Sequence, residues 1–270
     1  MGMILGTGSE RRALGAPGGS IARATDKHRN PHRRPDRGSA GYAGDVTALM
    51  SLGSRLALAR VALHARSDQS DIDRLAPVIR AGVDLLVLGA SGDDSRDADT
   101  LGAFREVYAH VPLLLATTNG DCAEDASADV VHLERPGWKL WGSYPRGHQW
   151  SLLGRNACDA RTVRRPGDEW QYLFVGPLTA DDTDSPPFVE AVSRQRPFSS
   201  EALPWFVLGD FSAQSVAPFL AAGARRVALT DAVLDDPDAV ARVGAVRAAV
   251  EHAWSSDADA KAYRLAAAGL

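Results

Sequence analysis

One stretch, opening at Leu203 and reading LPWFVLGDFSAQSVAPFLAAGARRVALTDAVLDDPDAVARV, constrains this chain more than any other. Trp205–Leu208 is an apolar run too short for a helix, closed by Gly209. A helical pattern follows, with Val216, Phe219 and Leu220 on one face and Gly223 as its stop. Val227–Leu229 is a second buried-strand run. Asp236-Pro237 then reads as a sharp helix start, Asp capping the free N–H groups and Pro fitting the first helical position. Strand, helix, strand, helix in this rhythm demands a parallel sheet with helices outside, because parallel strands need long crossovers. The rest of the chain must supply the other strands.

The bulk numbers allow that sheet. A chain of 270 residues can bury one sizeable core. Its net charge of −4 argues against nucleic acid as the main partner. Cys122 and Cys158 are the two cysteines, far apart in sequence, with no secretory signal. That pattern predicts a reducing cytoplasm and no disulfide framework. No apolar run approaches the roughly 18–20 residues of a membrane span.

Residues 1–48 are rich in Gly, Arg and Pro, and their apolar residues have no period, which predicts a disordered tail. A G-x-G occurs there without the strand–turn–helix context that a phosphate loop needs. The fold is expected over 50–254. Val61–Leu63 is a first strand, ending near His64, and Ser70 to Ala81 a helix kinked at Pro77 and stopped by Gly82. Leu85–Leu88 is the second strand, and Leu101, Phe104 and Val107 mark the inward face of the next helix. Leu113–Ala116, a short helical turn at Ala123–Ser127, and Val130–Leu133 follow. GWKLWGSYPRGHQW carries three of the six tryptophans and no helical stripe. It is expected to cover the wall a fourth helix would have covered, or else to stack on a ligand. Leu152–Leu153 with Gly154, a short helix at Asp159–Arg165, Tyr172–Val175 with Gly176-Pro177, and a helix from Phe188 lead to the opening stretch. Residues 255–270 are an Ala-rich helix or a frayed tail. Eight strands alternating with helices over roughly 215 residues predict an α/β fold, a single (β/α)8 TIM barrel. A doubly wound open sheet is the alternative.

AGVDLLVL, ADVVHL, LLGR, YLFVGPL, PWFVLG and LAAGARRVAL occur in an order and spacing that cover nearly the whole expected barrel. Through them the chain resembles the thiamine phosphate synthase/TenI family, particularly its actinobacterial members. The resemblance implies a TIM barrel. It also implies either Mg²⁺-dependent joining of a pyrimidine diphosphate to a thiazole phosphate with release of pyrophosphate, or TenI-type tautomerisation of the thiazole.

The positions that would carry this chemistry match less well. After strand two, where the synthases hold the diphosphate through Q-x-R-x-K, the chain reads Val87-Leu88-Gly89-Ala90-Ser91. The Asn-Asp after strand three becomes Thr117-Thr118, and the G-Q-x-D after strand four becomes Glu134-Arg135-Pro136-Gly137. A hard dication wants carboxylate oxygens, and hydroxyls do not replace them. Glu134 offers one carboxylate from a shifted position. After strand five the family Ser is Asn156 and the family His is Cys158. A thiol with an ordinary pKa near 8.5 is a poorer proton carrier than imidazole. After strand six, Gly176 is kept, and T-P-T-K is replaced by Asp181-Asp182-Thr183-Asp184. The Gly-Gly of strand seven becomes Gly209-Asp210, and the Ser after strand eight becomes Asp231, next to Thr230.

Charge then sets the expectation. Barrel phosphates sit on backbone N–H groups after strands seven and eight. A carboxylate about 4 Å from an anion is repelled by roughly 4 kcal/mol at an effective dielectric of 20. Arg135, Lys139 and Arg155 are expected to offset this only in part. Each residue also has a plainer reading: Asp210 and Asp231 as helix caps, Cys158 as a buried filler, His132 as scaffold, and His64 as a strand-end histidine with no evident partner. The chain therefore reads as a divergent family member without the condensation. The alternatives are a synthase with substituted residues or a tautomerase using Cys158. No cofactor is expected, and Mg²⁺ only if the condensation survives. The expected partner is a small molecule at the barrel mouth, with neither membrane nor nucleic acid, and homo-oligomerisation left open.

Overall fold

The computed structural model describes residues 50–135, 143–179 and 181–268. The segment 1–48 lies outside them, as do Pro136, Gly137, Trp138, Lys139 and Trp141. Eight parallel strands run in order: β1 Val61–Ala65, β2 Leu85–Leu88, β3 Leu114–Thr117, β4 Val130–Leu133, β5 Leu152–Ala157, β6 Tyr172–Leu178, β7 Trp205–Gly209 and β8 Val227–Leu229. Each pairs with the next, and β8 pairs back onto β1, so the sheet is a closed barrel. Closure excludes the open doubly wound alternative. The helices are α1 Leu52–Leu58, α2 Ile72–Arg80, α3 Asp94–Val107, α4 Ala160–Arg164, α5 Ser185–Gln195, α6 Ala213–Ala221, α7 Ala239–Ser255 and α8 Ala260–Ala267.

Most strands read as unbroken apolar runs because both faces are covered. Inward residues from neighbouring strands fill the barrel: Ala62, Leu85, Val87, Leu114, Ala116, Val130, Phe206, Leu208 and Ala228, with Leu56 of α1 below them. Tyr172, Phe174 and Phe206 pack edge to face in the middle, with ring centroids 5.2–6.0 Å apart. The glycine of LLGR follows from this: a Cβ on Gly154 would overlap the Tyr172 ring. Outward residues such as Leu63, Leu86, Leu115, Val175 and Val207 pack against the helices.

At the N-terminal end of the barrel, side chains entering the even strands hold the odd strands. Asp84 accepts from the N–H groups of Arg60 and Val61 at 2.7 and 3.1 Å. Asp129 accepts from Leu115 N–H at 3.0 Å and from Arg105 at 3.1 Å. Gln171 Oε1 accepts from Leu153 N–H at 2.7 Å. The Asp of AGVDLLVL and of ADVVHL is therefore a strand clamp. At the same end Arg226, 3% exposed, donates to the Ala57 carbonyl and the Tyr263 hydroxyl at 2.9 and 2.5 Å. Phe198, Phe206, Trp254 and Tyr263 rings surround it at 5.3–6.0 Å, a cation–π enclosure.

Several local expectations are corrected. Val107 is 57% exposed, so α3 faces the core with Leu101 and Phe104, and Ala98 packs beside them. Ala123–Ser127 is the expected short turn, with Ala126 N–H donating to the Cys122 carbonyl at 3.0 Å. α7 starts at Ala239 with Asp238 at its cap position; Asp236 instead accepts from Asp238 N–H at 2.8 Å in the turn before it. A 3-10 segment at Asp231–Asp235 fills the gap after β8. Of the aromatic segment, Trp138 and Trp141 lie outside the described residues, Tyr144 packs on Trp170 with ring centroids 4.8 Å apart, and Trp150 is 73% exposed. Among the described residues, no helix is long and apolar enough to cross a membrane.

Candidate functional site

The C-terminal ends of the strands form the mouth, the end at which barrel enzymes place their chemistry. Its floor is a hydrogen-bonded chain. His132 on β4 lies 1% exposed, its Nδ1 2.8 Å from the Tyr172 hydroxyl and its Nε2 3.0 Å from Asn156 Oδ1. An amide oxygen only accepts, so Nε2 carries the hydrogen and Nδ1 accepts from the tyrosine. Burial drives the His132 pKa down to about 3, against a smaller upward effect from Asn156, because imidazolium would be stranded without water. Burial likewise pushes the Tyr172 phenol well above its ordinary value. The floor is neutral.

Above it stand a histidine–carboxylate contact and two arginine–carboxylate clusters. His64 Nε2 lies 3.3 Å from Glu134 Oε1, within ion-pair range, but it makes no directed hydrogen bond. Burial lowers the His64 pKa, opposed by the carboxylates of Glu134 and Asp231. Arg66 reaches Asp231 at 2.5 Å and Asp68 at 3.2 Å. Arg242, from α7, reaches Asp210 at 2.6 Å, Asp236 at 3.2 Å and the Phe211 carbonyl at 2.9 Å. The expectation of two uncompensated acids after β7 and β8 is therefore corrected: each has its own arginine. Sequence reading missed both arginines. Arg242 lies 32 positions from Asp210, so only the folded chain brings them together.

The other expected residues fall into distinct places. Asn156 is on the floor, opposite the inward Phe174. Thr117 points away from the interior by the two-residue alternation of β3. It is 3% exposed, and its Oγ1 accepts from Asn119 N–H at 3.0 Å, so it does not line the mouth. Thr118, the next residue, accepts from Ala90 N–H at 2.8 Å. Ser91 belongs to the loop entering α3, where its N–H meets both Asp97 oxygens at 3.1 Å. Arg155 is also outward, paired in register with Leu173, and its guanidinium lies 5.2 Å over the Trp170 ring. Arg135 is exposed.

Cys158 is exposed rather than a buried filler, and its thiol donates to the Gly176 carbonyl at 3.0 Å. Gly176 has φ +139°, and a Cβ there would strike backbone. Thr183 and Asp184 are exposed; Asp182, not Asp184, ties this turn, accepting from Ser185 Oγ at 2.8 Å and Asp184 N–H at 3.0 Å. Gly209 accepts from Thr230 N–H at 3.1 Å, joining the ends of β7 and β8. Among the described residues no group of three or more His, Cys, Asp or Glu is placed to hold a metal ion.

No family model matches the chain. A thiamine-phosphate synthase of Mycobacterium sp. (strain KMS) is 31% identical over 212 residues, covering 71% of this chain and 93% of that protein. The thiamine-phosphate synthase of Thermobifida fusca (strain YX) is 30% identical over 215 residues, with the same coverage. Among solved structures, the thiamine phosphate pyrophosphorylase of Pyrococcus furiosus superposes with a TM-score of 0.60 at 13% identity, covering 75% of this chain and 99% of that one. The last is a likeness of fold.

Proposed function

The chain belongs to the thiamine phosphate synthase/TenI family, and from that premise we propose that it keeps the family's barrel as a small-molecule binding protein of thiamine metabolism without the Mg²⁺-dependent condensation. One observation carries this reading. Where the resemblance puts a metal-binding carboxylate after β3, Thr118 offers a hydroxyl already accepting from Ala90 N–H at 2.8 Å. Glu134, the nearest substitute, stands against His64 at 3.3 Å. A hard dication needs several free oxygen anions, so these residues do not fit Mg²⁺. The phosphate end has changed as well. Asp210 stands where the second glycine would be and occupies Arg242 at 2.6 Å. The pair relieves the repulsion of a lone carboxylate, but it leaves that guanidinium engaged rather than free for phosphate.

The ligand this mouth suits is a neutral or weakly basic heterocycle, lying over the Asn156–His132 floor and beside Glu134. The test is direct. Pyrimidine diphosphate, thiazole phosphate and Mg²⁺ are incubated with the protein, and released pyrophosphate is measured. No release above background is expected; Mg²⁺-dependent turnover would establish a synthase with substituted residues. A second reading rests on the exposed thiol of Cys158 at the end of β5. If that thiol moves a proton as a tautomerase would, thiazole isomerisation is detectable by NMR and disappears in Cys158→Ala.

A further inference from the structure

Opposite the mouth, the loops entering β6 and β7 flank an open hollow of about 710 Å³, within the size range of small-molecule sites. Three arginines line it, Arg164, Arg165 and Arg196, against two carboxylates, Asp168 and Glu201. Arg196 is fixed: it donates to the carbonyls of Val163 and Arg164 at 3.2 Å and so ties the loop entering β7 to the end of α4. Arg164 and Arg165 are exposed, and neither side chain has an ion pair among the described residues. Pro166, Leu203 and Pro204 supply an apolar wall between the charges.

A second observation points the same way. Trp170 also lines this hollow and is 3% exposed, yet its buried indole N–H has no acceptor. Two other buried tryptophans are satisfied, Trp205 by the Arg196 carbonyl at 2.9 Å and Trp254 by the Arg225 carbonyl. A buried donor left without a partner is uncommon and calls for one. The Trp170 ring packs against the Arg155 guanidinium at 5.2 Å and Tyr144 at 4.8 Å.

We propose that this hollow is a second binding site, for a small organic oxyanion. A phosphate or carboxylate head lies between Arg164 and Arg165, where planar guanidinium forks match its oxygens. A flat apolar body rests on Pro166, Leu203 and Pro204, beside Trp170, whose indole environment then reports the ligand. Asp168 and Glu201 limit the charge tolerated and disfavour a polyanion such as nucleic acid. Its lining has no Ser, Thr, Cys or His, and the N-terminal face of such barrels is not where chemistry is done. The site binds rather than converts.

The test uses the full chain with ¹⁵N-labelled indole groups, the Trp170 resonance being assigned by Trp170→Phe. Phenyl phosphate is expected to shift that resonance saturably, benzyl alcohol to leave it in place, and inorganic phosphate to bind more weakly. The double variant Arg164→Ala/Arg165→Ala changes exposed positions, keeps the fold, and is expected to weaken phenyl phosphate at least about tenfold, the loss of one good charged contact. Binding that spares the Trp170 resonance and survives the double variant belongs elsewhere and overturns the proposal. Equal binding of inorganic phosphate overturns the assignment to an organic ligand, and no shift with millimolar phenyl phosphate overturns the site.

Discussion

The two ends of the barrel use carboxylates in opposite ways. At the N-terminal end Asp84 and Asp129 accept from strand N–H groups, and each also meets an arginine. At the mouth Asp210, Asp231 and Glu134 meet other side chains: Arg242, Arg66 and His64. The difference lies in what can be replaced. A buried N–H at a strand entry has no water to fall back on, so the side chain that serves it is hard to exchange. An ion pair at an open mouth has water as its alternative, so either partner can change at little cost to folding. The strand clamps are therefore the harder of the two sets to exchange.

The comparison is most exposed to failure at Asp129. Asp129→Ala strands the Leu115 N–H and frees Arg105, and is expected to cost about 2–3 kcal/mol of stability in urea unfolding. A loss no larger than that of a mouth variant would erase the distinction between the ends. Acid probes the floor between them. The His132 pKa is about 3 in the fold against an ordinary 6.5, so the unfolded chain binds the proton first as pH falls. This contribution to stability is whole above pH 6.5 and drains away toward pH 3, by about 2–3 kcal/mol at pH 4.5. His132→Gln is expected to flatten that part of the pH profile, measured as the difference from the unmodified protein. The smallest effect belongs to the mouth. Asp231→Asn breaks the contact with Arg66, whose side chain is 54% exposed, and is expected to change stability by less than about 1 kcal/mol. A larger cost would make the mouth pairs structural.

The same contrast explains what could be read from the residues. β2, β4 and β8 have the bounds their apolar runs announce, because continuous apolar character reports burial on both faces. The start of α7 was misplaced because Asp236-Pro237 has the chemistry of a cap, yet a 3-10 turn uses it first. The mouth was less legible. Residue types announced the acids Asp210 and Asp231 after β7 and β8, but not that Arg242 and Arg66 answer them. Thr117 and Arg155 were assigned to the mouth although strand alternation turns both outward. Register, not residue type, decides that, and register is fixed only when the barrel closes.

The Arg226 cage gives the chain's final residues a weight that their alanine-rich composition conceals. Tyr263, on α8, contributes both a ring face and the hydroxyl 2.5 Å from the guanidinium. A stop codon just after Trp254 would spare every strand and all of the mouth, yet leave a cation looking out through an unplugged floor. For anyone trimming this protein for expression or fusing a partner to its tail, the last helix is a stopper to be kept.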